Sequence, residues 1–451
     1  MIFLVKKPVI NGYDDNGIPY IAISDDNWID WEDRGLSTEL TDAEQKAPGI
    51  DKPFLVITLV ILLIGVIMVL SASFARGYYM SSEPLRLFIR QFVFAVSGVA
   101  LMLITSRISV RTMSRWSMQL LLISVVLLIL VLIIGIKVNG ARRWIGIGGE
   151  NSSLTFQPSE VAKLALILAF AQLSCKLGKD RMRTFKYGVL PFAIVTGVMI
   201  VLLRFEPHLS AIIIVTALAA IMMFSGGTRM RWFLLAVVIL ASMICGLLYF
   251  QLRNTAPEIG IRDVSMETIR NNADFSGLGY EGRRINAWLN PDDDPLRDGF
   301  QIRQSLNAVG SGGLLGQGLG QSRQKHLYLP EEHNDYIFAI VCEELGFIGA
   351  MLILMLFVLL IVRGYWLAMN ANDRFGSLIV IGITSLLAIQ VFLNVAVVTN
   401  LLPSTGISLP FFSYGGTALW IQLVQIGIIL AVSREILPPK EQPKKKPVKV
   451  S

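Results

Sequence analysis

The sequence predicts an all-α polytopic membrane protein with about ten transmembrane helices. Two observations predict it. Of the 451 residues, 53% are hydrophobic and only 16% are charged, whereas soluble proteins carry roughly 25% charged residues. Apolar runs near twenty residues long recur along the chain, and each is long enough to cross a bilayer core. A soluble protein with one large core does not require so many runs of that length.

The ten candidate spans lie near 54–73, 87–105, 118–137, 159–175, 187–203, 207–224, 232–252, 336–362, 376–401 and 410–433. Pro158, Pro207 and Pro410 stand at span starts, where the N–H that proline lacks would have had no helical partner. With the N-terminus inside, the inner loops carry twelve Lys and Arg and the short outer segments six. This is the expected positive-inside bias, and an even number of spans puts both ends in the cytosol.

Residues 1–50 read as an acidic cytosolic arm, residues 51–434 as the membrane domain and residues 435–451 as a basic cytosolic tail. The arm has no signal-peptide pattern. One loop, 253–335, is far longer than the others and falls outside; loops of that length usually carry function or are disordered. The net charge of +7 is read as topology and contact with anionic lipid, not as nucleic-acid binding. Cys175, Cys245 and Cys342 stand far apart in or beside apolar runs, which suggests neither a disulfide framework nor a metal site.

Four outward pieces carry the candidate chemistry. In "NGARRWIGI…FQPSEVAKLA", Arg142 and Arg143 break the charge bias. With Trp144 they read either as an interfacial anchor or as an anion site, because guanidinium forks match phosphate oxygens. Glu160 and Lys163, three apart, share one helix face and can neutralise each other. An intramembrane lysine is a functional candidate by default. In "RFEPHLS", His208 at a helix start reads as structural. In "NLLPSTGISLPFFSYGGTAL", the Pro, Gly and Ser around Ser413, Gly415 and Gly416 imply broken backbone, which membranes tolerate only where it lines protein or a wet cavity.

The fourth piece is "YLPEEHNDYIFAIVCEELGFIG". Glu331 and Glu332 read as solvated loop acids. Asp335 stands at the outer mouth of a span, where the helix dipole favours its charged form and burial opposes it. Glu343 and Glu344 lie roughly 12–14 Å deeper along the helix. They read as helix-joining groups, with Lys163 or Arg204 as candidate partners.

Together with "LNPDDDPLRDGFQIRQSLNAVGSGGLLGQGLGQS", these motifs resemble the shape, elongation, division and sporulation (SEDS) family, whose branches are FtsW, RodA and SpoVE. The resemblance covers about residues 54–433, in the family's order, and is closer to the FtsW and SpoVE branch. It implies a GT-C-like fold of ten spans with one large extracytoplasmic loop. It also implies a peptidoglycan glycosyltransferase in the bacterial cytoplasmic membrane, polymerising lipid II at the outer face in division, shape or sporulation wall synthesis.

The implied catalytic residue is Asp335, in the family's P-E-x-H-x-D turn with His333. Trp144, Glu160 and Lys163 fall on the family's R-W and Q-P-S-E-x-x-K motifs. Arg142, Arg143, Trp144, Glu160, Lys163 and His333 are the substrate-binding candidates, and Glu343, Glu344, Ser413, Gly415 and Gly416 the supporting ones. Implied partners are lipid II, a class B penicillin-binding protein and other division or elongation proteins. A divalent cation, Mg²⁺ or Mn²⁺, is an optional addition, and no organic cofactor is expected.

Three features depart from the family: His208 where many members have Asp, extra loop length at 258–280, and the long acidic arm. Lipid II flippase and division scaffold are the alternatives. A flippase needs polar groups along the whole membrane depth, whereas here they crowd the outer half.

Overall fold

The computed structural model describes Gly12–Tyr13, Pro19–Tyr20 and residues 49–81, 83–138, 141–146, 155–238, 242, 280–292 and 298–436. It divides into two compact units, Met1–Pro48 and Gly49–Ser451. In the first, β1 (Gly12–Tyr13) pairs antiparallel with β2 (Pro19–Tyr20). The rest of the acidic arm, nearly all of the extra loop segment 258–280 and the basic tail from 437 lie outside the described residues.

The second unit begins with α1 (Lys52–Ser81), α2 (Arg86–Thr105) and α3 (Val110–Ile134). A small antiparallel sheet follows: β3 (Ile136–Val138), β4 (Ala141–Gly146) and β5 (Thr155–Phe156), in the order β3-β4-β5. Next come α4 (Pro158–Met182), the single turn α5 (Phe185–Gly188), α6 (Leu190–Phe205) and α7 (Leu209–Ser225). The long loop holds α8 (Tyr280–Leu289) and α9 (Asp298–Ser311); α10 (Ile337–Met369), α11 (Arg374–Val398) and α12 (Gly416–Arg434) complete the bundle.

Among the described residues, eight helical segments are long and apolar enough to span a membrane: α1 to α4, α5 with α6, and α10 to α12. The expected span at 207–224 is α7, apolar but only 17 residues long. The expected seventh span begins as helix at 230–238, and most of the remainder lies outside the described residues. Two expectations need correcting. Pro207 and Pro410 are not in first turns, because α7 starts at Leu209 and α12 at Gly416. The third span ends at Ile134, and the residues after it turn into β3.

Polar side chains set the helix ends. Ser109 Oγ accepts the Thr112 N–H at α3 and Asp373 accepts the Gly376 N–H at α11, each satisfying a donor that the helix leaves free. Asp51 caps α1 by accepting the Phe54 N–H at 2.9 Å, and also pairs with Arg363 Nη2 at 2.6 Å. The N-terminal end of α1 and the C-terminal part of α10 are therefore joined. Burial sorts the helices. Spanning windows of α4, α11 and α12 are 67%, 67% and 72% buried, against 22% for α2 and α3. The first three form the centre, and the site is built at one end of them.

The site also needs α10 to open. Gly346 takes φ +67 inside it, and a Cβ there would stand 2.2 Å from Gly316 N. The glycine-rich stretch 312–320 lies against this break. Gln317 and Gly318 N–H donate to the carbonyls of Glu343 and Glu344 (both 3.0 Å), and Phe347 and Ile348 N–H donate to Gly313 and Leu314 carbonyls (2.9 and 3.1 Å). Backbone groups freed by the break thus find partners, as a membrane demands.

Candidate active site

A polar cavity of about 640 Å³ opens among the N-terminal ends of α4, α7, α10 and α12 and the C-terminal end of α11, with the sheet and α8 also on its wall. Asp335 lines it two residues before α10. Its main-chain carbonyl accepts Asn394 Nδ2 at 2.7 Å, and the same amide donates to the Ile407 carbonyl at 2.7 Å. The aspartate is thereby locked to α11 and to the irregular segment 399–415. Gly406, at φ +73, lies opposite. A Cβ there would stand 3.2 Å from Asp335 Oδ2 and 3.7 Å from Arg284 Nη1. Glycine therefore keeps a side chain from crowding the carboxylate.

The contest over Asp335 is decided by burial, which with nearby Glu331 raises its pKa to about 6 against the opposing pull of Arg284, Arg143 and His333. The turn around it is rigid. Asn334 Nδ2 donates to Glu331 Oε2 at 2.6 Å, Ser413 Oγ donates to the Asn334 carbonyl at 2.8 Å, and the Tyr414 N–H donates to the His333 carbonyl at 2.9 Å. Ser413 and Gly415 hold this wall; the Gly415 N–H reaches Gln91 Oε1 at 3.4 Å. At Gly416 any Cβ would collide with the Phe94 ring at 2.4 Å.

The cationic side is built by the sheet. The register slips between Ile136 and Lys137, pairing them with Trp144 and Arg142 and leaving Arg143 as the extra residue of a bulge. Bulges re-aim side chains, and the two arginines diverge. Arg143 lines the cavity beside Trp144 and donates to the carbonyls of Glu206 and Pro207. Arg142 turns away, outside the lining, and caps α3 through the Leu132 carbonyl at 3.0 Å. It is not brought to the site. Lys163 and Glu160 form a buried 2.7 Å pair on the cavity wall. Burial raises Glu206 to about 8 despite Arg143. Near neutral pH this favours the protonated carboxyl beside Arg143.

Other expected residues lie behind the wall. His333 is buried beside Glu332, its Nδ1 3.5 Å from Oε1, and does not line the cavity. Glu332 is not solvated; it is fully buried and pairs with Arg76 at 3.4 Å. Glu343 and Glu344 do support the helix, but neither Lys163 nor Arg204 is their partner. Glu344 accepts Lys325 Nζ at 2.8 Å and Ser71 Oγ at 2.7 Å, while Glu343 accepts Ser322 Oγ at 2.5 Å and the Arg323 N–H at 2.9 Å. Lys163 is already taken by Glu160, and the segment after the glycine stretch delivers Lys325 instead. Sequence reasoning passed over Arg284, Gly406 and Asn394. Arg284 belongs to the long loop, and only the fold brings α8 to the cavity, where Arg284 Nη1 donates to the Ser404 carbonyl at 3.0 Å.

A carboxyl group poised near neutrality, faced by cations inside a bundle of membrane-length helices, defines a multi-pass membrane enzyme. The chain belongs to the FtsW/RodA/SpoVE family, whose profile, described as "Cell cycle protein", matches residues 52–436. Stage V sporulation protein E of Bacillus subtilis is 40% identical over 386 residues, covering 85% of this chain and 97% of that protein. A probable peptidoglycan glycosyltransferase FtsW of Geobacter sulfurreducens is 39% identical over 374 residues, covering 82% and 92%. Among solved structures, the rod shape determining protein RodA of Thermus thermophilus superimposes with TM-score 0.59 at 25% identity, covering 86% and 98%. A chain of a peptidoglycan synthase complex that coordinates polymerization and crosslinking reaches TM-score 0.66 at 27% identity, covering 86% and 98%.

Proposed function

We propose that this chain is a peptidoglycan glycosyltransferase that polymerises lipid II into glycan strands, with Asp335 as its general base. The observation that carries the reading is that Asp335 lines one cavity with Arg284, Arg143 and Lys163. The attacking sugar 4-hydroxyl gives its proton to the Asp335 carboxylate as its oxygen bonds to the anomeric carbon. The bond from that carbon to the polyprenyl diphosphate breaks, and the diphosphate leaves with the electron pair. A carboxylate near pKa 6 is a suitable base at neutral pH. Fixed cations aimed at the leaving oxygens stabilise charge where it develops.

A divalent cation has a plausible seat in this proposal. Glu331 lies beside Asp335, and Mg²⁺ is commonly held by one or two carboxylates together with phosphate oxygens. Bound there, it would supply further positive charge to the diphosphate. Among the described residues no three His, Cys, Asp or Glu gather as a metal site. The ion would therefore arrive with substrate, and chelation should slow turnover without lowering the unfolding temperature.

We place the cavity on the outer face of the cytoplasmic membrane, with both termini in the cytosol, on the charge bias of the loops. A class B penicillin-binding protein is the proposed partner; a structural relative works within a peptidoglycan synthase complex. The test is glycan-strand formation from labelled lipid II by purified protein with its partner. Asp335→Asn keeps the shape but accepts no proton, and should lose about 10²–10⁴-fold in rate. Activity within a few-fold of the parent would sink the assignment.

A further inference from the structure

We infer that His208 is a ligand for the substrate's diphosphate, completing with Arg143 and Lys163 one anion subsite on the α4–α7 side of the cavity. The inference rests on the glycosyltransferase reading above and adds a residue to its diphosphate arm. Three observations carry it. His208 lines the cavity together with Arg143 and Lys163. Its side chain is 7% exposed, and its Nδ1 has no hydrogen-bond partner among the described residues. Arg143 is anchored to the two residues just before it, through the carbonyls of Glu206 and Pro207. Guanidinium and imidazole are thus held on the same turn.

A structural histidine at a helix start ordinarily finds a partner for its ring, because a buried imidazole nitrogen left alone is unfavourable. This ring faces a polar space between two cations instead. Burial first, then Arg143 and Lys163, hold its pKa well below the usual value. It therefore enters as a neutral imidazole, with one nitrogen free to donate to a phosphate oxygen. The other charged and titratable groups nearby are few. Glu160 is committed to Lys163 and burial raises Glu206 to about 8, while Glu331, Asp335 and Arg284 line the same cavity. A phosphate oxygen entering here meets Arg143, Lys163 and one unused donor.

Farnesyl diphosphate is the probe and farnesol its uncharged control, with binding to the full chain in nanodiscs read by calorimetry at pH 7. His208→Phe should weaken farnesyl diphosphate binding about tenfold, the loss of one hydrogen bond to a charged group. His208→Gln, which restores a donor, should recover most of it, and farnesol binding should not move in either variant. In polymerisation, His208→Phe should raise KM for lipid II far more than it lowers kcat. Should the aromatic variant fail to fold, His208→Ala, which only enlarges an existing cavity, carries the same comparison. Parent-like farnesyl diphosphate binding by a folded apolar variant overturns the subsite. An equal loss of farnesol binding overturns it as well, because the role would then be packing. Calorimetry needs no turnover. If the parent polymerises nothing yet loses diphosphate binding with His208, the enzyme reading falls and the subsite stands.

Discussion

Asp335 and the two adjacent arginines show how single residues divide the work. The Asp335 carboxyl is raised to about 6 mainly by burial, and a general base acts only when ionised. Activity should therefore climb as pH rises through about 6 and level off above it, provided folding is unchanged; a flat profile between pH 5 and 7 would remove the base role. The arginines were indistinguishable in sequence, and the bulge separates them. Arg143→Gln should raise KM for lipid II at least tenfold, because it removes a cation from the cavity wall. Arg142→Gln should leave turnover within a few-fold and affect stability instead, since Arg142 caps α3. Kinetics of the two single variants checks this, and equal losses would contradict the placement.

At the scale of elements, the break in α10 is the device that builds the site. Gly346 opens the helix, and the segment 312–325 fills the opening with backbone hydrogen bonds and with Lys325. Lys325 and Glu344 are both almost fully buried. Removing one partner leaves a charge without compensation, which commonly costs about 3–5 kcal/mol. Lys325→Met should lower the unfolding temperature in detergent markedly, and adding Glu344→Gln should recover much of the loss. If the single variant unfolds at the parent's temperature, the pair does not hold the segment. The periodicity of α10 was legible in sequence. Its partner was not, because Lys325 lies 19 residues away in a glycine-rich stretch with no apolar pattern to register it.

For the whole molecule, the bundle presents apolar faces outward and concentrates ionic groups at its two ends. Asp51–Arg363 ties one end, and the cavity occupies the other. With native cysteines replaced by serine, Glu83→Cys should react with an impermeant maleimide in intact cells, and Lys179→Cys only after lysis. Both positions are exposed and lie at opposite helix ends. The reverse pattern would turn the cavity toward the cytosol and overturn the proposed outer-face site.

The sequence by itself determined the solvent of this protein and the identity of most of its chemistry. Span length and apolar composition specify helices in a bilayer, because backbone polar groups there must be satisfied within the segment. The costly polar residues among them, Asp335, Lys163 and Glu160, were visible for the same reason. The Pro, Gly and Ser of 399–415 correctly announced irregular backbone lining a cavity. Tertiary structure alone decided which groups meet. It selected Arg143 over Arg142 by a one-residue bulge, put His333 behind the wall, and brought Arg284 and Gly406 around Asp335 from segments more than 40 residues to either side. It also raised the pKa of Asp335, because a pKa depends on desolvation and on charges that neighbour it in space. Neither is a property of its neighbours in the chain.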